Sequence, residues 1–400
     1  MLHTLFKIGL PALLAFGITV GEQSPAQEIV ITVNPDQQDN NGKPPFAGKR
    51  PAADMAILLD TSNSMDGLIS QAKSQLWTIV QQFASAKKAG KTPMLRVAVF
   101  EYGNTNLPAS EGYIRQVVGL TDDLDKVSEA LFSLTTKGGD EYCGQVINEA
   151  LSRLDWCDEP NAFKAIFIAG NEPFTQGPVD YKKSCKRAIE SGVVVNTIHC
   201  GNYNQGISGM WQHGAQLAEG EYMNINQDRA VVSIKTPQDK ILIELNERLN
   251  RTYLWYGSKD ARGRFRKNQT VQDQNALRQL GAAGLSSRAG VKGGALYNNA
   301  GRDLVDSYKQ NDQILSEIKE EELPDQLQNV PADQRAKVVN EMTKKRAEIQ
   351  KEIAKVNKQR MEFIANEKSK LAETEADTLG EAVRSAVTKQ MEKSGFEFKK

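Results

Sequence analysis

Residues 54–65 read DMAILLDTSNSM: an apolar run ends on Asp60, and hydroxyls follow at Ser62 and Ser64. A carboxylate and two hydroxyls at i, i+2 and i+4, leaving the end of a strand, can converge on one point beyond it. An oxygen-only donor set with few charges suits a hard divalent cation, Mg²⁺ first, then Mn²⁺ or Ca²⁺. The same residue types also cap helix N-termini with no metal involved, because Asp and Ser side chains accept from the first free backbone N–H groups. The spacing alone leaves both readings open.

To present such a set, the chain needs a buried strand ending at Asp60 and a helix behind it. Both are legible. From 54 to about 227, apolar runs alternate with helical periods: MAILLD (55–60), LRVAVFEYG (95–103), YIRQVVGL (113–120), AFKAIFIAG (162–170), VVVNTIHC (193–200) and EYMNIN (221–226). Between them, Leu68, Ala72, Leu76, Ile79 and Phe83 mark one helix face, and Val146, Ile147, Ala150, Leu151 and Leu154 mark another. Strands that are apolar almost throughout suit a sheet covered on both faces, and alternating β and α predicts a doubly wound, mostly parallel six-stranded α/β sheet. In such sheets ligands gather at the carboxyl ends of the strands, where Asp60 lies.

Asp60-x-Ser62-x-Ser64 after an apolar strand resembles the metal-ion-dependent adhesion site of von Willebrand factor type A domains. The resemblance covers about 54–227. It includes LTTKGGDEYCGQVINEAL (134–151), similar to the family's Gly-Gly loop, and KAIFIAGNEPF (164–174), where the family has a strand ending in Asp-Gly. It also includes GAQLAEGEYMNI (214–225), similar to the family's last helix and strand. With FIAGNEPF and VNTIHCG, the chain is similar to exported bacterial proteins that carry this domain. The resemblance implies a metal-assisted, adhesion-type protein-binding module, in which a partner's Asp or Glu completes the shell of the ion. This sequence departs from the pattern at two places. The second loop carries Asp140 and Glu141 where the family commonly has Thr, and Thr135 and Thr136 precede the glycines. The third-loop Asp falls on Gly170, or with a one-residue shift on Asn171, with Glu172 the nearby acid. The candidate ligands are therefore Asp60, Ser62, Ser64, Asp140, Glu141, Asn171 and Glu172.

Fifty Lys+Arg balance fifty Asp+Glu, so no global charge points to nucleic acid or an anionic membrane. Lys7 ahead of the apolar stretch Ile8–Val20 reads as a signal peptide over 1–21, with cleavage after Gly21 or after Ala26. About 13 apolar residues is short for a span of about 20, so the mature chain is expected to be exported, periplasmic or secreted, without a stable membrane span. Cys143, Cys157, Cys185 and Cys200 fit an oxidising compartment and allow three full pairings. One bridge among Cys143, Cys185 and Cys200 is expected, with Cys157 at the opposite edge of the sheet.

Residues 22–53 read as a polar linker and contain a short strand candidate, EIVITV (28–33); 54–227 is the sheet domain. Residues 228–300 form a helical extension and linker, in which RTYLWYG is expected to dock its aromatics on the sheet domain. In 301–400, Met342, Ile349, Val356 and Phe363 recur every seven residues. The accompanying row of Val339, Arg346, Ile353 and Arg360 is only half apolar, so a partly coiled-coil-like helix that hairpins or self-associates is expected, in a local helical bundle rather than a strict two-stranded coiled coil. Against catalysis, the chain has three histidines and no GxSxG, HExxH or phosphate-cradling loop. The expectation is a binding protein, not an enzyme. The alternative is a structural envelope protein that assembles through its helical tail and has a degenerate metal site.

Overall fold

The computed structural model describes residues 50–229, 231, 233–371 and 378–398. The expected signal peptide and the EIVITV run lie outside the described residues. The elements of the sheet region are β1 (Ala52–Asp60), α1 (Asp66–Ser85), β2 (Ala86–Lys87), β3 (Met94–Tyr102), β4 (Ile114–Thr121), α2 (Leu124–Ser133), α3 (Cys143–Arg153), β5 (Phe163–Gly170), α4 (Tyr181–Glu190), β6 (Val194–Cys200), α5 (Tyr203–Ser208), α6 (Trp211–Leu217) and β7 (Tyr222–Ile225). There follow α7 (Gln238–Asn250), α8 (Lys259–Lys292), α9 (Leu304–Gln310), α10 (Ile314–Glu317), α11 (Ala332–Leu371), α12 (Leu379–Lys393) and β8 (Glu397–Phe398). Helix α8 breaks at Gly281, whose φ of 60° and ψ of −148° suit glycine and little else.

All six strands expected from the apolar runs form one sheet, in the order β4-β3-β1-β5-β6-β7. Every pairing is parallel except β3 with β4. The chain builds outward from β1 on one side through β3 and β4, then on the other through β5, β6 and β7. The strand order therefore reverses at β1, and the crevice at its carboxyl end is where a doubly wound sheet binds ligands. The register sets Asp60 beside Tyr102 and Leu59 beside Ala169, so three strand ends lie level around Asp60.

Successive side chains of β1 point to opposite faces. Met55, Ile57 and Leu59 enter a core shared with Leu76, Ile79 and Phe83 of α1 and Val127 of α2. Ala56 and Leu58 enter a second core with Val146 and Ile147 of α3, Ala188 of α4 and Trp211 of α6. The C-terminal helices extend the first core: Leu242, Leu249, Ile349, Ile353, Val383 and Val387 belong to it, as do Tyr253 and Trp255 of the RTYLWYG run.

Two expectations are corrected. The first concerns the long helix. In α11 the half-apolar row is the buried one: Val339, Arg346, Ile353 and Arg360 are all buried. The Arg346 guanidinium pairs with Asp303 at 2.5 Å, donates to the Thr252 carbonyl, and lies 4.2 Å from the centre of the Tyr253 ring. Arg360 pairs with Asp239 of α7 at 2.8 Å. A seam of this kind reads as defective only until its partners are known, and here they lie on the same chain. The seam is therefore that of a local helical bundle within the chain and not of a strict two-stranded coiled coil.

The second correction concerns the cysteines. All four are buried free thiols, and the expected bridge does not form. Cys143 and Cys185 lie in the core on one face of the sheet, while Cys200 lies in the core on the other. Cys157 does sit at the opposite edge, where its N–H donates to Asp54 near the start of β1.

Candidate metal centre

Asp60 is the last residue of β1 and has no exposed surface. Its Oδ1 accepts from the Ser62 amide at 2.8 Å, a local turn that brings the Ser62 hydroxyl back over the strand end. The Ser62 and Ser64 hydroxyls are 3.2 Å apart, and the Asn171 amide donates to Ser64 Oγ at 3.1 Å. The N-cap reading fails on this geometry. The short 3₁₀ turn at Asn63–Met65 has Ser62 as its cap residue and α1 has Met65, and neither has a side-chain capping bond. Asp60 and the two serines are therefore not explained by helix capping.

The backbone clamps the second loop to the first. Lys137 N–H donates to the Thr61 carbonyl at 2.9 Å, and Gly138 N–H donates to Asn63 Oδ1 at 2.8 Å. Gly139 is required here, since a Cβ would stand 2.6 Å from the Gly103 carbonyl oxygen. This clamp places the two acids of the loop differently. Glu141 is buried, and its Cγ and Asp60 Oδ1 both lie within 3.0 Å of the point a Cβ on Gly103 would occupy. Asp140 stands apart: it is exposed, and its carboxylate accepts from the Tyr142 hydroxyl. Thr136 is engaged by Asp66 and does not supply the hydroxyl the family pattern has there.

The third loop follows β5. A side chain on Gly170 would place its Cβ 2.5 Å from the Tyr102 hydroxyl and 3.1 Å from Asp60 Oδ2, so no acid fits at that position. The chain supplies Asn171 and Glu172 one and two residues later. The His199 ring, 3.3 Å from the Asn171 carbonyl, and the Trp211 indole, which donates to the Glu172 carbonyl at 2.8 Å, hold that loop. Tyr102, Gly103, His199 and Trp211 were not identified from sequence as parts of the site. The one signal for them was a glycine at the end of each strand flanking β1, Gly103 directly after β3 and Gly170 as the last residue of β5.

Electrostatics mark the cluster. Burial pushes the Asp60 carboxyl up to about 7, aided by the Glu172 charge and opposed by the Ser62 hydrogen bonds. Burial, then the Asp60 and Glu172 charges, push Glu141 up to about 8. No basic side chain is among the groups acting on either. Asp60 Oδ2 and Asn171 Oδ1 are buried with no hydrogen-bond partner. Orphaned buried oxygens beside mutually repelling carboxylates are what a divalent cation would satisfy. Among the described residues no group of three or more His, Cys, Asp and Glu side chains is arranged to hold an ion, and the donor set here draws instead on hydroxyls and an amide.

Residues 54–210 match the family model of the von Willebrand factor type A domain. Among solved structures, the SpRpn10 VWA domain is 19% identical over 44% of this chain and 88% of that one, with a TM-score of 0.34. The conserved hypothetical protein BatB from Bacteroides thetaiotaomicron is 15% identical over 56% of this chain and 100% of that one, with a TM-score of 0.34. Proximal thread matrix protein 1 from the mussel byssus, with a zinc-occupied MIDAS motif, is 17% identical over 44% of this chain and 41% of that one, with a TM-score of 0.33. No curated protein matches this sequence. Strand order, the β1 switch point and the family match together identify residues 54–210 as a von Willebrand factor type A domain.

Proposed function

We propose that this domain is a cation-dependent protein-binding module. Domains of this family commonly mediate protein–protein interaction and often carry a divalent cation. The observation that carries the reading here is the pair of orphaned oxygens, Asp60 Oδ2 and Asn171 Oδ1, buried among carboxylates with no basic partner. Asp60, Ser62, Ser64 and Glu141 would hold the ion, with Asn171 and Glu172 at its third side and Mg²⁺, Mn²⁺ or Ca²⁺ the fitting class. When bound, the ion supplies a positive charge that attracts an Asp or Glu of a partner. The residues of the chain orient that charge and bury it on one flank.

Binding, not turnover, is the role the side chains support. The His199 ring is engaged by Asn171 and Asn224, and His213 by the Tyr181 hydroxyl. Burial raises the Cys143 thiol well above its ordinary range, which disfavours the thiolate. Export rests on residues 1–21 alone, since the cysteines form no bridge. Among the described residues no helix is long and apolar enough to cross a membrane. For the alternative, envelope assembly through the tail, α11 offers less apolar surface than its seven-residue repeat suggests, since Ile349 is buried and Met342, Val356 and Phe363 are half-buried.

The test is thermal melting of the full chain in EDTA and then with each ion. An ion at about 100 times its Kd adds about 2.7 kcal/mol to stability. Asp60→Ala should abolish the shift and keep the fold. A wild-type melting temperature indifferent to Mg²⁺, Mn²⁺, Ca²⁺ and EDTA would remove the proposal.

A further inference from the structure

Gln227 lies on the loop that leaves β7 for the helical region, beyond the stretch that matches the family model. Its Nε2 donates to the Ser64 carbonyl at 2.6 Å. Ser64, the exposed serine of the motif, is thereby gripped from two sides, since Asn171 Nδ2 on the loop after β5 donates to its Oγ at 3.1 Å. Both amides give a donor to the same serine, and both leave their oxygen buried with no hydrogen-bond partner. With Asp60 Oδ2, that makes three unpartnered buried oxygens around one strand end. A turn that needed these amides only for its own hydrogen bonding would not bury their acceptors unpaired.

The loop is fixed closely enough to hold a serine in place. Gln71 of α1 is itself buried, and its Nε2 lies 2.8, 3.0 and 3.1 Å from the carbonyl oxygens of Asn226, Gln227 and Arg229. Its Oε1 accepts from the Leu379 N–H at the start of α12. Residue 67, in the first turn of α1, must be glycine for the loop to close. A Cβ there would stand 2.3 Å from the Gln227 carbonyl oxygen and 2.8 Å from its carbon. That contact is with backbone, so no side-chain rotation relieves it. Glycine is a poor helix residue, and its place here is explained by the loop, not by the helix.

We infer that the loop after β7 is a fourth wall of the metal centre and that Gln227 is its positioning residue. It touches no ion; it fixes the backbone of Ser64 and through it the outer hydroxyl of the motif, as residues behind a metal ligand orient that ligand. Gly67 belongs to the same device, because it lets the loop approach. The inference rests on the proposed function, since it adds a residue to that centre.

The experiment is calorimetric titration of the full chain with Mg²⁺, Mn²⁺ and Ca²⁺, beside thermal melting in EDTA. Gln227→Met keeps the length of the side chain and removes its donor. It should weaken the ion about 10- to 100-fold, the range for residues that orient a metal ligand from behind, and leave the melting temperature in EDTA at the wild-type value. Gly67→Ala displaces the loop without altering a ligand or the amide, and should weaken the ion by a similar factor. Because both act by freeing Ser64, the double variant should bind no worse than the weaker of the two single variants. Gln227→Met binding every ion as wild type does, while Asp60→Ala binds none, would overturn the inference and leave the metal reading standing. So would losses that multiply in the double variant, or a loss of ion affinity in Gln227→Met that comes with a fall of the melting temperature in EDTA. A wild-type chain that binds no ion would remove the metal reading and this inference with it.

Discussion

Glu141 shows how one side chain can set the behaviour of the centre. Its carboxyl and that of Asp60 are buried together, at about 8 and about 7. In the unfolded chain both ionise near pH 4. Between those limits the folded chain holds more protons than the unfolded one, so stability falls as pH rises from about 4 through 8. A cation that replaces those protons removes the penalty. The ion-free chain should therefore melt at a lower temperature at pH 8 than at pH 5.5, and saturating Mg²⁺ should flatten the difference. Glu141→Gln should flatten part of it without any ion, since one repelling charge is gone, while weakening the ion-induced shift. Asp140→Asn should change neither, because its carboxylate is exposed and engaged by Tyr142. Differential scanning fluorimetry across pH, with and without EDTA, reads all three. A pH profile unchanged by Glu141→Gln would place that carboxyl outside the centre.

Among the elements, the strands were the most legible part of the sequence. A run such as MAILL or AIFIA is apolar because both faces of the sheet are covered, and that signal survives without knowledge of partners. The strand bounds moved by only a few residues, with β1 beginning at Ala52. Asp60, Ser62 and Ser64 were also legible, since their spacing follows from one turn. The choice between Asp140 and Glu141 was not, because it depends on where the Asn63 and Thr61 contacts fix the glycine loop. Nor was the buried face of α11 legible. Arg346 and Arg360 read as polar interruptions because the acids that neutralise them lie 43 and 121 positions away in sequence. A buried guanidinium with a bidentate acid and a stacked ring is not replaceable by a smaller or softer group. Arg346→Met should cost about 3–5 kcal/mol, the range for stranding a buried partner charge. Arg346→Lys should recover only part of that. Denaturant unfolding measures both, and a loss under about 1 kcal/mol for Arg346→Met would show that Asp303 finds other partners.

At the scale of the whole molecule, the helical region and the sheet domain share interior charge as well as apolar surface. Arg288 of α8 has no exposed surface and pairs with Asp125 of α2 at 2.7 Å and with Asp273 at 2.5 Å. The Tyr297 hydroxyl donates to the second oxygen of Asp125, and Lys292 reaches Asp273. Burial alone would raise the Asp273 carboxyl, but the Lys292 and Arg288 cations hold it well below the ordinary range. The Arg288 guanidinium also lies 4.7 Å from the centre of the Trp77 ring on α1, the helix directly behind the metal motif. Charges this deep have no solvent to fall back on, so α8 cannot leave α1 and α2 without exposing or stranding them. The two regions should therefore unfold in one transition, with far-UV circular dichroism and tryptophan fluorescence giving coincident curves. Arg288→Met strands Asp125 and Asp273 and should lower stability by about 3–5 kcal/mol, moving both curves together. If the helical signal instead melts first while fluorescence from the sheet domain persists, the buried cluster does not join the two regions, and the C-terminal helices are a separate folding unit.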